Sequence, residues 1–238
     1  VSGEQSHRIA VAFARAAARP EGSSLCLACA DLLGVSGVGI ALMGGTTSGP
    51  LCASNALVTT LEDLQFTLGE GPTLDAFRTR TPVVAPQLDD ESFTPWPTFI
   101  ERALIEGAHA IFSYPLTLAR STIGAITIYE RRPGDLTPSQ RSDCVAVTDV
   151  LTHMVLSMQG AAEPGTVAVG LGDAVAHRAD VHQASGMVAV QLTVPVAEAL
   201  ARIRAYAYAN DEPVSAVAAD IVARRLRLHN DRKGGPTP

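Results

Sequence analysis

The sequence predicts two units in series, an α+β unit built on hairpin-connected strands and then an all-α bundle of three helices. Three observations predict this. Short apolar runs rich in β-branched residues alternate with helical patterns through the first two thirds of the chain. Beyond Tyr129 the strand-type runs cease and only helical periodicity remains. Between the helical stretches, Gly160, Ala161, Ala162, Glu163, Pro164 and Gly165 form a segment in which Gly and Pro stop one helix before the next begins. The expected limits are 1–160 for the first unit, 161–166 for the linker and 167–228 for the bundle. A polar, Gly- and Pro-bearing tail at 229–238 is expected to fray.

In chain order, Ala-rich amphipathic patterns predict helices at 5–19 and 23–33, the second ended by Gly34 and Gly37. A strand at 38–43, a turn carrying Gly44, Gly45 and Gly49, and a strand at 50–54 read as a hairpin. Helices at 58–66 and 73–80, a brief strand at 82–85 and a helix at 97–106 follow. The runs at 110–117 and 121–129 form a second hairpin. A long helix spans 136–158, with Thr137 as its cap and Pro138 at its first position. The bundle is then 171–192, 196–209 and 215–228. Pro195 marks the start of the second of these helices, and Glu198 pairs with Arg202 one turn on. Ser215 is expected to cap the third helix. Val217, Ala218, Ile221, Val222 and Leu226 form its apolar face, and Arg224 and Arg227 lie on another. About 60 residues make a marginal bundle alone, which favours dimerisation.

Composition narrows function. The chain has 238 residues, 47% hydrophobic and 18% charged, with a formal net charge of -6. No apolar run approaches the roughly 20 residues that span a bilayer, so a cytoplasmic protein without a membrane partner is expected. Four cysteines are too few for a disulfide scaffold. The acidic total excludes a protein basic all over, but it is unevenly spread. Up to Ala162 there are 10 Arg against 16 acidic residues, whereas from Thr166 there are 8 basic against 7 acidic. Because 17 of the 18 basic residues are Arg, Arg abundance by itself marks no site.

Two stretches carry a family resemblance. Residues 61–76, LEDLQFTLGEGPTLDA, with RTPVV, YPL and IGAITIY beyond, resemble the GAF domain of bacterial GAF–ANTAR regulators. Within 181–226, VHQASGMVAVQL, AEALARIRAYA and VSAVAADIVARRL resemble an ANTAR domain. The resemblance covers nearly the whole chain in the family's order. It implies a GAF sensor with a central antiparallel sheet flanked by helices, a small-molecule pocket and dimerisation through terminal helices. It also implies a three-helix ANTAR output that binds paired RNA hairpin loops and so prevents transcription termination.

RNA loops are held through phosphates and by stacking of unpaired bases. Arg202, Arg204, Tyr206 and Tyr208, with Arg224, Arg225 and Arg227, offer that chemistry, and His182 and Gln183 add polar contacts. The alternative is an Arg-rich solvated surface with Tyr in a core or dimer seam. Ser185 stands where ANTAR domains usually carry a Lys, which weakens phosphate attraction at that place. Gly186 is as readily explained by close helix packing. In the first unit, the turn Gly69-Glu70-Gly71-Pro72 leads to Asp75, and its carboxylates suit helix capping better than anion binding. Phe66, Glu70, Asp75, Trp96, Phe112 and Tyr114, with Phe93, are the candidate ligand pocket, or equally a closed core.

Cys26 and Cys29 share a helical face, Cys52 falls in a strand and Cys144 in a helix, a pattern of small buried thiols and not of a metal site. No nucleophile triad, metal-ligand run or phosphate fingerprint is present, and His109 and His153 stand alone in sequence. No enzyme activity and no cofactor are therefore expected. Two other readings remain: a ligand- or partner-binding dimeric module whose bundle does not bind RNA, and a thiol reductase on a GAF fold.

Overall fold

Alternation of side chains along five strands sorts the first unit into two cores on opposite faces of one sheet. The computed structural model describes residues 7, 9, 11–13, 24–44, 47–90, 95–119, 121–161 and 172–229, which divide into two compact units, Val1–Ala176 and His177–Pro238. In the first, α1 (Ser24–Leu33) leads into the hairpin β1 (Gly37–Gly44) and β2 (Thr47–Ala53). Then come α2 (Ala56–Leu68), α3 (Pro72–Thr79), β3 (Val83–Ala85) and α4 (Pro97–Glu106). The second hairpin, β4 (Ala110–Leu118) and β5 (Ser121–Glu130), is followed by α5 (Pro138–Ala161). The strands pair antiparallel in the order β2-β1-β5-β4-β3, so the α+β expectation with a central antiparallel sheet holds.

One face carries Ile40, Leu42, Phe112, Tyr114, Ile126 and Ile128, packed against Cys29 and Leu33 of α1 and Val147 and Leu151 of α5. The other carries Ile111 and Tyr129 against Val58 and Leu61 of α2 and Phe99 and Ala103 of α4. Period-two alternation along β4 and β5 makes the division. His7, Ile9 and 11–13 lie in helix, with Ile9 and Phe13 buried in the first of these cores; the rest of the expected helix at 5–19 lies outside the described residues.

Local chemistry sets the helix limits. Asn55 accepts from Val58 N at 3.1 Å to cap α2, and Gly69 ends that helix at φ 72°. At α5, Thr137 Oγ1 accepts from Gln140 N at 3.2 Å while Gln140 Oε1 accepts from Thr137 N at 3.0 Å, a reciprocal capping box. Cys26 of α1 and Cys52 of β2 form a disulfide, and Cys29 and Cys144 remain free and buried. This corrects the expectation of four buried thiols: β2 returns beside β1 and brings Cys52 under α1, with 5.9 Å between the two Cα atoms.

The second unit consists of α6 (Gly172–Leu192), whose first residues precede His177, then α7 (Val196–Ala209) and α8 (Val214–Val222). Its buried faces are Val181, Ala184, Val188 and Leu192 on α6, Ala199, Ile203 and Ala207 on α7, and Val214, Val217, Ala218 and Ile221 on α8. The chain turns through 106° between Asp180–Leu192 and Val196–Ala209. Two expectations are corrected. Pro213, not Ser215, occupies the cap position of α8. That helix also stops at Val222 instead of reaching 228, because Arg224 adopts φ 59° and the amides of Arg225 and Leu226 both turn back to the Asp220 carbonyl. Among the described residues no single helix is long and apolar enough to cross a membrane. Residues 162–171 and 230–238, which include most of the expected linker and tail, lie outside the described residues.

Candidate functional site

In the second unit the exposed side of α6 forms one wall of a groove of about 610 Å³. Gly186, Met187, Val190 and Gln191 recur at helical spacing and line that wall. Ile221 and Leu226 line the facing wall, and Arg224 and Arg227 lie along it. The Gln191 side-chain amide donates to the Leu228 carbonyl, which ties the segment after α8 back to α6. His182 and Gln183 are exposed one helical turn before Gly186 and Met187, so they continue the same face.

The predicted RNA contacts separate on this geometry. Arg224 and Arg227 are exposed and line the groove, and among the described residues neither forms an ion pair. Arg225, between them, is held by Asp220 through two bonds of 2.8 and 2.6 Å. Arg202 donates to Glu198 at 2.7 Å, the one-turn pair expected from sequence. Arg202, Arg204 and Tyr206 are half-buried on α7 and do not line the groove. Ser185 is corrected: it is 2% exposed and its hydroxyl donates to the Val181 carbonyl at 2.7 Å, so it faces the interior. Gly186 is corrected as well, since a Cβ there would meet nothing within 4 Å and close packing does not require glycine.

In the first unit the predicted pocket residues do not converge. Phe112 and Tyr114 lie in the core under α1 and α5, whereas Trp96 lies in the core on the other side of the sheet. The two aromatics of β4 are both even-numbered, and their parity sends them away from Trp96. Trp96 Nε1 donates to Asp75 Oδ2 at 2.8 Å, and its ring meets Phe99 edge-on at 6.5 Å. Phe66 and Glu70 are half-buried, and Glu70 Oε1 is buried with no hydrogen-bond partner among the described residues. Phe93 lies outside the described residues.

On that same side of the sheet runs a buried polar chain that the sequence reading missed. Tyr129 donates to Glu62 Oε1 at 2.8 Å, and Gln65 Nε2 lies 2.7 Å from both the Tyr129 and the Thr73 hydroxyls. Gln65 Oε1 accepts from Thr73 N at 2.8 Å. Hydroxyl contacts of 2.7 and 2.8 Å carry the chain from Thr73 through Thr127 to Ser113. Burial pushes the Glu62 carboxyl up to about 7, against the opposing pull of the Tyr129 and Thr73 hydroxyls. Burial, then the nearby Glu62 charge, pushes the Tyr129 phenol well above its ordinary range. Glycines make room for these side chains: a Cβ on Gly39 would lie 2.6 Å from Glu62 Oε1, and one on Gly71 would lie 2.4 Å from Gln65 Oε1. The available signal was the spacing of Val58, Leu61, Glu62 and Gln65, which puts two polar residues on the buried stripe of α2.

The free thiols are poor nucleophiles. Burial raises Cys29 far out of the range of a reactive thiol, and the nearby Cys144 adds to the rise. Burial also pushes Cys144 up to about 12. With Cys26 bonded to Cys52, no low-pKa thiol stands ready among the described cysteines.

Residues 170–222 match the family model described as the ANTAR domain. Solved structures similar to the chain include GAF domains. One from an Acinetobacter phosphoenolpyruvate-protein phosphotransferase is 12% identical, covers 68% of this chain and 99% of its own, and has a TM-score of 0.48. Its counterpart from Coxiella burnetii is 11% identical, covers 67% and 98%, and also scores 0.48. A GAF domain of A. aeolicus in an inactive state is 17% identical, covers 65% and 97%, and scores 0.45. None of these likenesses bears on what the first unit binds. Comparison with curated proteins gives no match. The ANTAR match falls in the α-helical part of the chain, after the α+β unit.

Proposed function

We propose that this protein is a signal-responsive regulator that binds RNA through its ANTAR domain, on paired hairpin loops, and thereby prevents transcription termination. In this reading 1–160 is the sensor, 161–166 the joint, 167–228 the output and 229–238 a tail, and the protein acts as a cytoplasmic homodimer. One observation carries it: two exposed arginines, Arg224 and Arg227, just past the end of the ANTAR match at 170–222, stand on the rim of an apolar groove whose α6 wall, Gly186, Met187, Val190 and Gln191, lies within that match. Cations beside an apolar recess suit phosphates and unstacked bases together. The regulatory families to which both parts are similar, and the high pKa of the free thiols, favour a binding role over catalysis.

For the input, we take a small molecule to act on the α2–α4 side of the sheet. The support is the polar chain from Glu62 to Ser113 and the half-buried Glu70 carboxylate on an otherwise apolar face. A gel-shift with the full chain tests the output. An RNA carrying two hairpins is expected to shift at low salt, and either hairpin alone is expected to bind more weakly. An absence of any shift at low salt, or equal binding of one and two hairpins, contradicts the reading.

A further inference from the structure

We propose that the groove beside Gly186 receives an unstacked base from an RNA loop, with the flanking phosphates held by Arg224 and Arg227; this rests on the RNA-binding reading above. The starting point is Gly186 itself. It sits within α6, where glycine is the poorest helix former apart from proline. Its φ is not in the left-handed region, and a Cβ would meet nothing within 4 Å. Neither backbone conformation nor packing within the fold therefore calls for glycine. What the missing side chain leaves is open space in the groove that Gly186 lines.

The walls suit a flat, weakly polar ring. Val190 is 84% exposed, an unusual setting for a valine on the same wall as Met187. Ile221 and Leu226 face them across the groove. A volume of about 610 Å³ is ample for a nucleobase. The charges distinguish RNA from an apolar peptide or a second copy of the domain. Arg225 is turned to Asp220, while Arg224 and Arg227 on either side of it line the groove as cations without an acidic partner among the described residues. Arg224 also holds a left-handed backbone conformation, φ 59°, which sets its side chain apart from the run of α8.

Gly186→Leu in the full chain is the test, because a Cβ at 186 meets nothing within 4 Å and the longer side chain takes up groove space. Its melting temperature is expected to equal or exceed that of the native protein, since leucine favours the helix. Its affinity for a two-hairpin RNA is expected to fall about 10-fold or more, the scale of one lost base stack, with the salt dependence unchanged. Replacing the loop bases one at a time by abasic residues is expected to weaken native binding at one position, and to have no further effect on the variant at that position. Gly186→Ala, a smaller change, and the abasic RNAs with native protein keep the test open should the leucine variant fold poorly. Native-like binding by a folded Gly186→Leu overturns the groove proposal while leaving RNA binding intact. A shift in oligomeric state on filling the groove overturns it too, because the groove then serves a protein contact. Failure of the native chain to bind the RNA overturns both readings.

Discussion

The Tyr129 phenol donates to Glu62 Oε1 at 2.8 Å, both residues wholly enclosed between α2 and the sheet. Desolvation holds the Glu62 pKa at about 7, above its unfolded value near 4.5. The folded state therefore binds the proton more tightly than the unfolded chain. The associated stability is full below pH 4.5 and is lost as pH rises to about 7, by about 3 kcal/mol in total. Glu62→Gln keeps an acceptor for Tyr129 and removes the titration. Thermal or urea unfolding from pH 4.5 to 8 is expected to show a fall in the native protein that is largely absent in the variant. Parallel pH profiles would show that Glu62 does not titrate in this window.

The Cys26–Cys52 bond closes a loop with a sequence separation of 26 residues between α1 and the edge strand β2. Loop-closure entropy of that length is worth about 3 kcal/mol. Cys52→Ser is expected to lower stability by this order in urea, and to remove the effect of a dithiol reductant on the melting curve. Unfolded without reductant, the native chain is expected to titrate two thiols, Cys29 and Cys144. A count of four would show that the bond does not form.

Arg224 holds φ 59° at the end of α8, where glycine is the residue best suited. Arg224→Gly relieves that conformation and is expected to leave the protein as stable or up to about 1 kcal/mol more so. The same change removes a groove cation and is expected to weaken RNA binding. Calorimetry beside a binding curve separates the two effects. Reduced stability in the variant would mean that the side chain, not the backbone, secures this turn.

Elements with punctuation at both ends were legible in the sequence. Pro97–Glu106 and Val196–Ala209 fall where proline starts and Gly107 or Asn210 ends them, and the Thr137 cap follows from the local pattern. What escaped reading depends on distance or parity. Nothing local marks the end of α8 at Val222, because an arginine takes the left-handed position in place of the usual glycine. Cys26 and Cys52 meet only once the hairpin has formed. Phe112 and Tyr114 were grouped with Trp96 by aromatic character, although alternate positions on β4 send them to the opposite core. Glu62 and Gln65 carry no local mark of a polar chain, because their partners Tyr129 and Thr73 come from β5 and α3.

The salt dependence of RNA affinity tests the central claim most directly. Binding of a two-hairpin RNA by the full chain would be measured from low to moderate salt, for the native protein and for the Arg224→Gly, Arg227→Ala double variant. Two phosphate contacts to single-stranded loops are worth a slope change of about 1.4 in log affinity against log salt. The account predicts measurable native binding and a double variant whose slope is shallower by about that amount. Identical slopes, or a native chain that fails to bind at low salt, would contradict it.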